Sequence, residues 1–208
     1  MNERFFELSK EKRLKIINAG FEVFAQNEYK RASTDEIGRL AGISKGLLFY
    51  YFHNKKSFYL FLFDCAFQQL TRYVVDDNFA LYTDFFDICE YAAQKKLEML
   101  EAAPYLFDFM LRAFSSNKEE VSPALNKRFS DTLTQLYGNY FRNIDVSKFK
   151  PGVSLQEILQ MMTLISDGYV HELQRTGRRA TIGEFMEKYK RWSFLFKQMA
   201  YKEEFIHD

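Results

Sequence analysis

Apolar residues recur along most of this chain at spacings of three and four, the repeat of a helix with one buried face. Between Lys10 and Asn27, Leu14, Ile17, Phe21 and Phe24 mark such a face, and Ser9 stands where an N-cap belongs. Ser33 followed by Glu36 is a capping box that opens a short helix over 34–41, and Gly42 supplies the left-handed residue that ends it. Ser44 caps a predicted third helix over 45–52, and a fourth runs from near Lys55 to about Val75. Further helices are predicted over about 84–102, 104–115 and 118–143, with Pro104 in a first turn and Pro123 favouring a later start for the last of them. A loop at "DVSKFKPG" interrupts the pattern, and the boxes Ser154/Glu157 and Thr181/Glu184 open helices over about 155–176 and 182–204. No stretch sustains the period of two that a strand needs. The expected class is all-α, with about nine helices.

Composition sharpens this picture in three places. Only 9 Gly and 3 Pro punctuate 208 residues, which suits long helices. The net charge of +1 is uninformative, but its distribution is not: residues 1–60 carry 11 basic and 7 acidic side chains, and the remainder 18 and 21. A basic N-terminal part is a modest pointer to nucleic acid. Cys65 and Cys89 lack any C-x-x-C spacing and read as buried free thiols of a reducing compartment. The polar N-terminus and the absence of any 18-residue apolar run predict a cytoplasmic protein without a membrane span.

The segment "AGISKGLLFYYFHNKKSF", residues 41–58, holds four consecutive aromatics that no helix can bury on one side. Leu48 and Phe52 share a face and, with Ile37, Ala41 and Ile43, can pack against Phe21 and Phe24. The opposite arc then carries Lys45, Gly46, Leu47, Phe49, Tyr50 and Tyr51. Two short helices joined by a glycine turn, the second displaying a basic and aromatic arc, match a helix-turn-helix. Lysines and tyrosine hydroxyls can bond phosphate oxygens, ring faces can meet thymine methyls, and Gly46 lets the backbone approach a base edge. Lys10, Lys12, Arg13 and Lys15 can reach the DNA backbone, whereas His53 reads as a solvated loop residue.

Residues 33–56, "STDEIGRLAGISKGLLFYYFHNKK", resemble the helix-turn-helix of the TetR family of bacterial transcriptional regulators. Ser33, Thr34, Ile37, Ala41, Gly42, Ser44, Gly46, Leu48, Tyr51, Phe52 and Lys55 stand at the family's spacing. The resemblance implies phosphate contacts from Thr34, Ser44 and Lys55, with Ser33 beside them. It places Lys45, Gly46, Leu47, Phe49, Tyr50 and Tyr51 in or beside the major groove. Gly38 departs from the family's usual alanine, at a cost to the helix of about 1 kcal/mol. Phe49 replaces a common tyrosine and forfeits a hydroxyl. The resemblance covers about residues 9–60 and divides the chain into a DNA-binding part, 1–56, and a ligand-binding and dimerisation part, 57–208.

Other chemistry is thin. Three histidines lack a second ligand at metal-binding spacing, and no nucleophile or phosphate-loop motif appears, so neither metal, cofactor nor enzymatic activity is expected. An all-α enzyme would need a convergent polar site that the sequence does not offer. Aromatics and methionines concentrate in the middle of the chain. The resemblance implies an effector cavity there, and Phe107, Phe109, Met110, Phe114, Tyr137, Phe141 and Met162 are the expected lining of a largely apolar chamber. Asp108 or Asp167 is a candidate for favouring a cation. Leu155, Ile158 or Leu159, Met162, Ile165 and Tyr169 form one stripe, and Phe185, Tyr189, Trp192, Phe196 and Met199 another; together they predict a four-helix dimer interface. The resulting expectation is a homodimeric repressor of a palindromic operator, released by a lipophilic small molecule. Control by a partner protein without a small molecule is the alternative.

Overall fold

The structure is a computed structural model that describes residues 2–115, 120–128, 140–178 and 181–206. It is all-α, and the chain divides into two compact units, one of residues 1–71 and 100–135, the other of 72–99 and 136–208.

The first unit opens with a single 3-10 turn, Glu3–Phe5, followed by α1 (Lys10–Gln26), α2 (Thr34–Ala41), α3 (Lys45–Phe52) and α4 (Lys55–Val74, its last turn in the second unit). The predicted caps are in place: Ser9, Ser33 and Ser44 each accept the backbone N–H three residues on, at 3.3, 3.3 and 3.1 Å. The buried face of α1 keeps Phe21 and Phe24 of the predicted one, with Ile17 half-buried, and is wider on one side. Leu14 is exposed, and Ile16, Ala19, Gly20 and Val23 turn inward beside them. Gly20 explains the added width, because a Cβ there would lie 2.6 Å from Leu62 Cδ1 and 2.7 Å from Phe58 Cζ. The missing side chain lets α4 approach α1 along that line, a cue that hydrophobic periodicity does not carry. Ile37, Leu48, Phe52, Phe58 and Leu62 are all completely buried.

In the same unit, α6 (Pro104–Ser115) lies against α1. Phe109 stands 5.2 Å from Phe21 and 5.0 Å from Tyr59 between ring centroids, and Arg112 Nε donates to the Ala25 carbonyl at 2.5 Å. A further helix, α7, is described over residues 122–128, with Pro123 in its first turn; Arg128 pairs with Asp64 of α4.

The second unit contains most of α5 (Phe85–Ala102), then α8 (Leu155–Arg175) and α9 (Ile182–Ala200). The Thr181/Glu184 box is complete in both directions, whereas Ser154 accepts from Glu157 N at 3.4 Å. Helix α9 stops earlier than its periodicity predicts. After Ala200 the chain turns extended, so that Tyr201 bridges Phe149 and Lys202 N donates to Lys148 O at 2.9 Å. Asp84 fastens this junction. Its carboxylate accepts from Phe86 N at 2.9 Å and from Lys148 Nζ at 2.8 Å, with Lys197 Nζ at 3.9 Å, while Phe85 N donates to the Tyr201 hydroxyl at 3.2 Å.

Both cysteines are unpaired. Burial, aided by the Asp64 charge, pushes the Cys65 thiol up to about 11, and burial pushes Cys89 up to about 12, so both stay protonated and unreactive at neutral pH. Among the described residues, no helix is long and apolar enough to cross a membrane.

Candidate nucleic-acid interface

The α2–α3 turn is built by main-chain bonds. Gly42, at φ +69°, closes α2, its N–H donating to Arg39 O at 3.2 Å, and Ile43 N donates to Gly38 O at 2.9 Å. This tight reversal lets α3 pack Leu48 and Phe52 inward and turn its other side to solvent.

On that outer side, Ser44, Lys45, Gly46, Leu47 and Tyr50 are exposed, and Phe49 is half-buried. They form one contiguous arc of small, basic and aromatic groups. A Cβ at Gly46 would meet the Ser44 hydroxyl at an ordinary 3.9 Å, so a DNA edge could approach the backbone there. Ser33 and Ser44 accept backbone N–H bonds as caps, and each hydroxyl still carries a hydrogen to give a phosphate. Lys45 Nζ is held 2.8 Å from Asp35 Oδ2, a solvated ion pair that orients the ammonium at the mouth of the turn.

Two expected contacts stand differently. Tyr51 is buried, with its ring 5.8 Å from Phe5 and 5.6 Å from Tyr50, so it belongs to the support of α3 and not to its outer arc. The eight-residue helix has room for one outward tyrosine, and a 100° step from Tyr50 turns the next ring inward. Thr34 is also buried, leaving Ser33 as the displayed hydroxyl of that cap. Lys55 sits at the start of α4, 4.9 Å above the Tyr29 ring and 3.3 Å from Lys30 O. Periodicity also passed over Arg39, an exposed cation at the end of α2 beside Glu36. Its only signal was its place three residues after an acid.

The residues expected to line an effector chamber do not share one unit. Phe107, Phe109 and Met110 belong to the first and Phe141 and Met162 to the second, while Tyr137 and the Phe114 side chain lie outside the described residues. Phe109 and Met110 are buried, Phe109 among the rings of α1 and α4. Phe141 packs 5.4 Å from Phe85, and Met162 is buried. A cleft of about 360 Å³ opens elsewhere in the second unit, lined by Asn78, Leu81, Tyr82 and Tyr91. Desolvation lifts the Asp167 carboxyl above its ordinary range, against the pull of His171 and Lys96.

The expected dimer stripe is largely consumed within the chain. Ile158, Met162, Tyr189 and Phe196 are buried; Leu155 is half-buried. Tyr169, Phe185 and Trp192 form a half-buried cluster between α8 and α9, with Tyr169 5.6 Å from Trp192 and 6.0 Å from Phe185. Of the expected stripe residues, Ile165 and Met199 are the exposed ones. The exposed apolar positions of these helices are Met161, Leu164 and Ile165 on α8, and Phe194, Leu195 and Met199 on α9. Each helix carries two apolar stripes, and spacing alone cannot say which one its own core takes.

Comparison with known proteins agrees with this geometry. Residues 16–60 match the model of the family described as bacterial regulatory proteins, tetR family. No curated protein sequence matches the chain. Among solved structures, a transcriptional regulator from Rhodococcus sp. Rha1 shares the fold with a TM-score of 0.72 at 16% identity, over 90% of this chain and 96% of its own. The regulator FadR from Bacillus subtilis, in complex with stearoyl-CoA, gives 0.67 at 18% over 88% and 96%. NalD, the secondary repressor of the MexAB-OprM multidrug efflux pump in Pseudomonas aeruginosa, gives 0.64 at 18% over 93% and 98%. Residues 16–60, from α1 into α4, thus carry the DNA-binding domain of the tetR family of bacterial regulatory proteins, and the chain as a whole shares the all-helical fold of these regulators.

Proposed function

We propose that the protein is a cytoplasmic repressor that binds a palindromic operator as a homodimer and is released by a lipophilic small molecule. The outer face of α3 carries the reading: Ser44, Lys45, Gly46, Leu47 and Tyr50 are exposed together while the rest of the helix is packed. Lys45 and Tyr50 can reach base edges or phosphates in a major groove, and a twofold dimer sets two such helices about one DNA turn, roughly 34–36 Å, apart. The exposed apolar positions of α8 and α9 favour a second copy of the chain as their cover.

The effector class draws support from the similar structures, one bound to stearoyl-CoA and one a repressor of a multidrug pump. Asp167, an exposed carboxylate on α8, would favour a ligand with a cationic head. A ligand releases DNA only through its preference for the non-binding arrangement, and hundredfold release needs about 2.7 kcal/mol of preference.

Selection from random duplexes by the purified chain should recover an inverted repeat. Lys45→Ala and Tyr50→Phe should then disturb base preference by about 1–3 kcal/mol for each specific base interaction they abolish. A pool without an inverted repeat would sink the palindrome. A panel of acyl thioesters and hydrophobic cations that leaves DNA affinity untouched would remove the small-molecule effector.

A further inference from the structure

The last four carbonyls of a helix have no partner inside it, and in the eight residues of α3 they are half of the total. They belong to Phe49, Tyr50, Tyr51 and Phe52. His53 N–H donates to Phe49 O at 2.7 Å, and Asn54 N–H to Phe52 O at 2.8 Å. The other two are met from the far end of the sequence: Asn2 N–H donates to Tyr51 O at 2.8 Å, and Asn2 Nδ2 to Tyr50 O at 3.5 Å. Asn2 Oδ1 meanwhile accepts from Arg4 N at 3.1 Å and so starts the turn Glu3–Phe5. One residue therefore opens its own turn and closes the recognition helix.

Phe5 anchors this segment. It is 1% exposed, and its ring lies 4.8 Å from Phe52, 5.8 Å from Tyr51 and 5.4 Å from Phe61 of α4. The exit from α3 is strained. His53 has φ +65° and ψ −47°, the rare positive-φ γ-turn, and among the described residues it is the one non-glycine with positive φ. Strain of this kind persists only where neighbouring contacts hold it. Asn2 and Phe5 supply such contacts on the side from which α3 would otherwise fray.

We infer that residues 2–6 form a positioning strap for DNA reading: Asn2 and Phe5 hold the C-terminal end of α3, and with it Tyr50, in the orientation that enters the groove. The inference rests on α3 as the reading helix. Without the strap the DNA-competent orientation is occupied for a smaller fraction of the time, and apparent affinity falls by that fraction.

Three full-chain variants test it. Asn2 has φ −86°, near proline's range, so Asn2→Pro removes both donors while the backbone keeps its course. Asn2→Ala keeps the main-chain donor, and Phe5→Leu trims the anchor. Without DNA, amide hydrogen exchange at His53 and Asn54 should quicken in Asn2→Pro and less so in Asn2→Ala. Affinity for the inverted-repeat duplex selected by the wild-type chain should fall roughly tenfold in Asn2→Pro and about two- to threefold in Asn2→Ala, with Phe5→Leu between. Binding to a random-sequence duplex, and its salt slope, should not change, because the strap itself holds no phosphate. Unchanged exchange at His53 and Asn54 in Asn2→Pro overturns the strap, whatever the operator proves to be. Equal weakening on both duplexes with a shallower salt slope overturns it too, by making the segment a phosphate contact. Failure to select any inverted repeat would count against the palindrome alone.

Discussion

Gly38 stands where the family usually has alanine, and helix propensity alone would favour the change to alanine by about 1 kcal/mol. Its place in the turn reverses that preference. A Cβ there would sit 2.8 Å from the Ile43 carbonyl oxygen, a main-chain atom whose residue is itself bonded to Gly38 O. Gly38→Ala should therefore destabilise the chain by about 1–2 kcal/mol in urea unfolding, and a neutral result would show that the turn gives way freely. Asp35 poses an electrostatic question at the same turn. It pairs with Lys45 and faces the side from which phosphates would come. Asp35→Asn frees the ammonium and deletes a repelling charge. Binding to random duplex DNA should tighten several-fold, with the salt dependence steeper by roughly one unit. Weaker binding in that variant would mean that the pair orients Lys45 productively.

At the scale of elements, the clasp around Asp84 joins the start of α5 to the end of α9 and the 146–150 segment. Burial of Asp84 favours its neutral form. The hydrogen bond from Lys148, the charges of Lys197 and Lys148, and the Phe86 N–H outweigh it and hold the carboxyl below its ordinary range. A depressed carboxyl stabilises the fold above its unfolded value near 3.9, and this contribution is lost as pH falls through the folded value. Asp84→Asn removes the carboxylate charge that pairs with Lys148 and Lys197 and should cost about 2–4 kcal/mol at pH 7. The gap between variant and wild type should shrink below about pH 4. Urea titrations of both proteins at pH 7 and pH 3 check this, and a constant gap would mean that packing, not charge, is what the substitution disturbs.

For the whole molecule, the exposed positions Met161, Leu164, Ile165, Leu195 and Met199 are the ones on which dimerisation depends under the proposed function. Leu164→Glu places a charge there twice in a twofold dimer and should weaken self-association by about 3 kcal/mol, roughly a hundredfold. Sedimentation across micromolar concentrations should show the variant dissociating where wild type does not. Trp192→Ala instead removes part of the α8–α9 cluster and should cost stability before association. The opposite ordering would return the interface to the stripe read from periodicity.

Local chemistry wrote itself plainly into the sequence. Serine caps three residues ahead of a backbone donor, glycine at a left-handed turn and a three-to-four apolar repeat act within a few residues of one another. Helices α1 to α6 accordingly begin and end within a residue or so of their predicted limits. The helix-turn-helix was legible for the same reason, since its caps, turn and outward arc all fall within residues 33–56. What depended on distant partners was not legible. Gly20 joined the buried face of α1 because Phe58 and Leu62 arrive from another helix, and Tyr51 was taken inward by Phe5. Tyr201 ended α9 early by bridging Phe149, fifty-two positions back. On α8 and α9, periodicity located apolar stripes, but only packing decided which residues each chain keeps for its own core. Local bonds are determined by sequence neighbours, whereas the side of a helix that is buried is determined by whatever the rest of the chain brings against it.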